Sequence, residues 1–419
     1  MAPLAPASDD EATQPDGDGG HAWTMLALLS LAELLGMSLW FTGSAVAPEL
    51  QARWALTEGQ VGGLSTAVQL GFVLGTALSA LLNLADIVPA RRLFAWAAVG
   101  GALANAALLG AGGYGAALAS RALAGACLAG VYPPAMKMAA TWFRARRGVA
   151  VGTVVGALTV GKASPYLWRL VPEASMADVV VTSSVMALLA AALIALLWRD
   201  GPFAFQSRPF SWSLVGEVFG TRRWRLATGG YLGHMGELYS YWTWIPAFMA
   251  ASAVARGGAE QVHAPWVGLL SFGTIAVGGL GCLWGGLVSD RIGRERLVII
   301  AMAVSGACAL AIGFLFGRSP WLLAPVALAW GFFVIADSAQ FSVLVTESVP
   351  AHAVGTALTV QVSLGFLLTT ISIQAVPPVV AWVGWQGAFA MLALGPALGI
   401  AAIRRLRVVE TSGSGARAR

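Results

Sequence analysis

Away from the ends of the long apolar runs of this chain stand six carboxyl or strongly basic side chains: Glu33, Arg121, Lys137, Lys162, Glu237 and Asp337. Charge in a hydrocarbon setting is costly, so such residues are the first place to look for chemistry. Counted from the ends of their runs, Glu33, Lys162, Glu237 and Asp337 lie near the middle. Desolvation disfavours the charged form of a carboxyl. A carboxyl between helices can therefore take a proton on one side of a barrier and release it on the other. Glu237 is the leading candidate for that role, with Glu33 as its counterpart. The competing reading is a static ion pair with a lysine or Arg121 that only ties helices together. Asp337 sits in Ala336-Asp337-Ser338-Ala339-Gln340 and shares a helix face with Gln340, which suits substrate or proton binding. Lys162 suits either an anionic substrate group or the neutralisation of an acid. Lys137 stands five residues before Trp142, close enough to the end of its run to snorkel to water.

Aromatic residues flank the acids. Tyr241 and Trp244 lie four and seven residues beyond Glu237, and Trp40 lies seven beyond Glu33. Aromatic surfaces beside a carboxylate suit an amphipathic organic solute or a cation, with plain packing as the alternative. His234, three residues before Glu237, can join a proton relay, although a lone histidine on an apolar helix more often just holds a hydrogen bond.

The elements that must position these groups are membrane helices. Hydrophobic residues make up 58% of the 419 and charged residues 11%, where a soluble domain carries about 25% charge. Twelve apolar runs are long enough to cross a bilayer: 22–47, 59–85, 93–112, 115–141, 148–170, 178–198, 224–250, 265–288, 297–317, 320–346, 354–380 and 384–403. They are continuous rather than alternating, which favours an all-α membrane protein over a barrel. Alternate loops divide the basic residues 18 to 4, and that asymmetry predicts both termini in the cytoplasm. It also explains the net charge of +5 without nucleic acid. Cys127, Cys282 and Cys308 all fall in apolar runs, so neither a disulfide nor a metal site is expected, and no cofactor motif is present. Residues 1–20 read as a disordered tail, 21–198 as a first half, 199–223 as a linker with an aromatic interfacial segment, 224–404 as a second half and 405–419 as a second tail.

The halves repeat. Glu33 and Glu237, Trp40 and Trp244, Asp86 and Asp290, and Arg92 and Arg296 are each 204 residues apart, and matched polar residues are rare in a membrane chain. Small-residue spacings add packing signals: Gly71-x-x-x-Gly75, with Gly279 in register with Gly75, and Gly148, Gly152 and Gly156. The polar stretch Gly285 to Arg296, GGLVSDRIGRER, reads as a short loop between helices, with a degraded copy at 81–92.

This stretch resembles the signature of the major facilitator superfamily, G-x-x-x-D-R-x-G-R-[RK]. Gly286, Asp290, Arg291, Gly293 and Arg294 match; Glu295 departs and Arg296 supplies the charge one residue later. The first copy keeps Asp86, Arg91 and Arg92. Arg121-x-x-x-Gly125, Trp142-Phe143 and Arg147-Gly148 resemble the family's fourth helix and following loop. The resemblance implies a twelve-helix fold in two pseudo-symmetric six-helix halves, a central cavity lined by helices 1, 4, 7 and 10 with help from helix 5, and a role for Arg121 in proton coupling. It also implies a conformational latch, with Asp290 meeting the helix that starts near Gly148 and Asp86 the one near Val354. A carboxylate gains there from exposed N–H groups.

The reading taken forward is a secondary active transporter in the inner membrane. It moves a small organic solute by alternating access, with protons as the energy source and a monomer as the working unit. The paired acids favour proton-linked export. Lys162, and Ala157 where the family's antiporters carry Pro after Gly156, favour symport of an organic anion as the alternative. An enzyme is not expected, since H-E-x-x-H and G-x-S-x-G are missing, and Gly156 to Ala163 lacks the Ser or Thr and the strand that a phosphate loop needs. A transporter-like sensor without turnover is the third reading.

Overall fold

The computed structural model describes residues 19–82, 84–143, 146–171, 174–203 and 210–417. Its first half runs α1 (Gly19–Met37), α2 (Glu58–Leu81), α3 (Ala90–Ala106), α4 (Tyr114–Leu128, resuming as Tyr132–Ala140), α5 (Arg147–Ala163) and α6 (Met176–Leu197). The second half runs α7 (Arg222–Gly257), α8 (Pro265–Ala276, resuming as Gly278–Ile292), α9 (Arg294–Ala311), α10 (Pro320–Ala336, resuming as Ser338–Ser348), α11 (Val354–Ala388) and α12 (Leu394–Arg417). No strand occurs among the described residues. Local signals set several starts. Thr57 and Gln60 form a reciprocal capping box before α2, and Ser175 and Asp178 another before α6.

Nine stretches among the described residues are long and apolar enough to cross a membrane. The longest, Ala351–Val409 with 59 residues, is well beyond the roughly 20 that one crossing needs. It doubles back at Gly384, whose φ of +70° suits glycine. The other two are α5, with only 17 residues, and α7, whose stretch carries many polar side chains. Large apolar side chains face outward all round, among them Leu74, Leu196 and Phe314, as a lipid-facing surface requires.

Helix packing carries the pseudo-symmetry. In the first half α1 packs on α5 and α6, α2 on α4, and α3 on α4 and α6; in the second, α7 packs on α11 and α12, α8 on α10, and α9 on α10 and α12. The halves meet through two equivalent pairs, α5 with α8 and α2 with α11. Glycines allow the close approaches. A Cβ at Gly71 or Gly75 would run into the backbone of Ala122 or Ala126, and one at Gly125 into Val68. Across the halves, Gly156 faces Gly279, Gly152 faces Cys282, and Gly286 lies against Gly148.

Two readings from the sequence need correction. The residues that play the parts of Gly71 and Gly75 are Gly281 and Gly285, packed on Phe332 and Ala336, whereas Gly279 serves the α5 interface. The constant offset fails here because eleven residues separate Gly75 from Asp86 and only five separate Gly285 from Asp290. The stretch from Gly285 is also mostly helix. It stays in α8 to Ile292, and Gly293 alone, at φ +86°, makes the turn into α9. The helix α12 continues to Arg417.

Gly125→Ala should cost about 1–3 kcal/mol, because the added methyl meets backbone that cannot rotate away. Gly115→Ala, on the same helix with nothing within 4 Å, should be neutral or stabilising by up to about 1 kcal/mol. Thermal unfolding midpoints in one detergent would test the pair; equal shifts would show that the glycine does not set the α2–α4 distance.

Candidate functional site

The site begins where α1 breaks. Its helix ends at Met37 and resumes as Thr42–Ala45, which frees carbonyls in between. Arg121 on α4, fully buried, donates to two of them, from Nη2 to Leu39 O at 2.5 Å and to Trp40 O at 3.2 Å. Its Nη1 donates to Asn105 Oδ1 at 2.6 Å, and Asn105 in turn donates to Val180 O and Ser184 Oγ on α6. A guanidinium is favoured at a helix C-terminus, where the carbonyls point. All of these partners are neutral, so Arg121 fixes the break in α1 against α3, α4 and α6.

The break turns the Trp40 ring into the interface between the halves. It packs on Phe72 at 5.3 Å, Tyr239 at 5.8 Å and Phe366 at 5.9 Å. Above it sits Lys162. At the neighbouring Gly161 a Cβ would collide with the Leu34 backbone, so α5 lies hard against α1 at this level. The Lys162 Nζ is 4.1 Å from the Trp40 ring centre, 5.0 Å from that of Tyr239 and 5.2 Å from that of Trp242. It donates to Tyr239 Oη at 2.8 Å. That bond and those rings join α5 to α7 across the halves.

Glu33 lies seven residues before Trp40 on α1 and is fully buried, and neither of its oxygens has a hydrogen-bond partner. Lys162 acts on it through its charge, and Glu33 in turn acts on Tyr132. The second-half acids are placed differently. Glu237 Oε1 accepts from Trp330 Nε1 at 2.8 Å and Oε2 from Ser305 Oγ at 2.8 Å. Tyr241 donates to Ala327 O and packs at 4.2 Å on the Trp330 ring. The Glu237–Tyr241 face therefore turns into its own half. Trp244 donates to Ile373 O and fills the space beside Gly62, at the α2–α11 junction. Asp337 occupies the gap between the two segments of α10, with His234 Nδ1 2.9 Å from its Oδ1. His234 Nε2 has no hydrogen-bond partner. Gln340 is buried one turn on.

At the level of Lys162 the face of α7 that meets the first half is thus the one with Tyr239 and Trp242, and the sequence reading had not chosen it. Phe72 and Phe366 were missed as well. Residue 239 is about 200° around the helix from residue 237, and an aromatic helix gives no periodic cue as to which of two apolar faces points inward.

A profile of the Major Facilitator Superfamily matches residues 28–373. The chain belongs to this family. It is therefore a multi-pass membrane transporter, with a small-molecule substrate. A crystal structure of a mutant form of the nucleoside transporter NupG superposes with a TM-score of 0.70 at 14% identity, covering 91% of this chain and 99% of that one. No curated protein matches the sequence significantly.

The family's signature stretch is only partly bonded. Asp290, Arg291 and Gly293 are exposed, as are Arg91 and Arg92. Gly286 touches the start of α5 at Gly148, which brings α8 close to the helix end expected to meet Asp290. Arg294 Nη1 pairs with Glu347 Oε1 at 2.6 Å, a partner within the same half that the sequence reading did not name. The side chain of Asp86 lies outside the described residues.

Tyr239→Phe would leave the Lys162 ammonium buried without its acceptor, and we expect a loss of about 1–3 kcal/mol. Arg121→Lys should be at least as damaging, because a single ammonium cannot span Asn105 and the two carbonyls as a planar fork does. Unfolding midpoints of the two variants in detergent would check both, and a Tyr239→Phe midpoint equal to the parent's would dismiss the bond as a support.

Proposed function

We propose that this transporter moves a small organic solute by alternating access and is driven by protons, with Glu33 as the proton carrier and Lys162 as the solute anchor. One observation carries the reading. An ammonium bridges the halves through Tyr239 while a buried carboxylate next to it has no bond to either oxygen. Parting the halves breaks the Lys162–Tyr239 bond and opens the ring stack, which uncovers both charges together. A two-state carrier moves only if its ligands bind its states unequally, and these groups are buried where the halves meet.

The acid of choice moves from Glu237 to Glu33. Glu237 is held by Trp330 and Ser305, which suits the role of a fixed strut. Asp337 and His234 form a second proton-binding pair, with Gln340 nearby as a polar contact. Trp40 forms a wall of the solute site, and Tyr241 and Trp244 support it from behind. We assign Arg121 to holding the break that presents Trp40. Asp86, Arg91 and Arg92 in the first half, and Gly286, Asp290, Arg291, Gly293 and Arg294 in the second, form the latch that holds the basic face shut. Two six-helix halves joined by residues 199–223 provide the moving bodies. The basic loop count supports cytoplasmic termini in the inner membrane, and a monomer suffices. Export in exchange for protons fits the paired acids; symport of an anion is favoured by the placing of Lys162 at the junction. NupG is a nucleoside transporter, and at 14% identity the likeness lends its fold to the argument and not its substrate.

Proteoliposomes with an internal pH dye, an imposed pH gradient and pools of organic solutes provide the test. Solute-triggered proton flux is expected in the parent and in Glu237→Gln, and none in Glu33→Gln. Undiminished proton flux in Glu33→Gln would remove Glu33 from the mechanism.

A further inference from the structure

Resting on that reading, we propose that the solute is an organic anion with a flat, ring-bearing body. It crosses with one proton carried on Glu33, so that neither the loaded nor the empty carrier moves net charge.

The anchor comes first. An ammonium has three N–H donors, and the one hydrogen bond described for Lys162 goes to Tyr239. Two donors are left in a position only 3% exposed, ringed by Trp40, Tyr239 and Trp242. The neighbouring rings pack directly on one another, Phe72 on Phe366 at 4.7 Å and Tyr239 on Phe366 at 5.2 Å, so parting the halves frees ring faces on which another ring can stack. An anionic group on Lys162 with a planar body among these rings uses all of them. A cation would have to share the rings with Lys162 and would meet like charge.

The charge balance follows. With Lys162 charged and Glu33 ionised, the empty site is neutral. Adding an anion to Lys162 leaves Glu33 as an uncompensated buried charge, which is strongly unfavourable. A proton placed on the Glu33 carboxylate removes it. The loaded site is then ammonium, anion and neutral acid, again with no net charge. No other group facing Glu33 can take over this part. From α5 it faces Lys162 and from α4 Tyr132; α6 carries only Asp178, at its far end. On the Lys162 side stand Tyr239 of α7 and Cys282 of α8. Of the second-half acids, Glu237 is bonded by Trp330 and Ser305, and Asp337 lies 2.9 Å from His234 within its own half.

The experiment uses the full chain in proteoliposomes, with an internal pH dye and capacitive current recording on a solid-supported membrane. Three probe pools share a single aromatic ring: benzenesulfonate with benzenedicarboxylates, benzyltrimethylammonium, and phenylalanine. We expect the anion pool alone to drive flux, with protons moving in the same direction and no net current. Glu33→Gln should abolish the proton signal and turn anion flux into a current of negative charge, which also reports that the variant is folded. Lys162→Gln should cut anion flux by about a hundredfold or more, as loss of one member of a buried charge pair predicts, with Lys162→Arg retaining more. Flux with the cation or zwitterion pool but not the anions would overturn the substrate class and leave the transporter reading intact. Proton movement that persists with the anion in Glu33→Gln, or current in the parent, would overturn the one-proton balance. Silence with all three pools would overturn the ring-bearing substrate class and leave the transporter reading to the wider solute pools.

Discussion

The closed arrangement depends on one desolvated ammonium. Lys162 has lost its water and has received in exchange a phenol oxygen and the faces of three aromatic rings. Cation–π attraction strengthens when the cation is dry, but it does not replace a full hydration shell, and the nearby Glu33 adds a further, smaller attraction through its charge. The interaction matters to the whole molecule because its parts come from both halves: α1 and α5 on one side, α7 on the other. Whatever separates those helices must rehydrate the lysine or give it a new partner.

The surrounding architecture brings these groups to one level. Arg121 holds open the break in α1 that turns Trp40 inward. Close backbone contact at Gly161 sets Lys162 against α1. The glycine rows of α5 and α8 let the halves touch backbone to backbone, so relative motion there is a roll of smooth surfaces rather than an unlocking of interdigitated side chains. The α2–α11 junction is built differently, with Trp244, Gln374 and the Phe72–Phe366 pair filling it. The two equivalent junctions thus differ in side-chain bulk.

Much of the fold was legible because hydrocarbon imposes simple rules. Length and polarity of the runs gave the helices, and the matched acids and tryptophans gave the two halves. The site was legible only in its charges. Glu33 and Lys162 stand out in any apolar run, but nothing in the sequence says that Glu237, at the equivalent position, is bonded on both oxygens while Glu33 is bonded on neither. That difference comes from Trp330 and Ser305, which lie 93 and 68 residues away. The rotation of α7 was equally hidden, because Tyr239 and Tyr241 are the same residue type on nearly opposite faces. The turn at Gly293 was misjudged for a local reason. The polar residues before it read as loop, yet they continue α8, and only the positive φ of one glycine ends the helix.

This chain has 23 arginines but only two lysines, Lys137 and Lys162, and both lie within membrane helices. Chemically, this makes the primary amine a scarce group. Besides the chain's own amino terminus, an amine-directed reagent finds these two side chains, and one of them is sealed at the junction of the halves. The protein therefore carries a native reporter of its own opening: acylation of Lys162 would count the time the halves spend apart, without a single engineered residue.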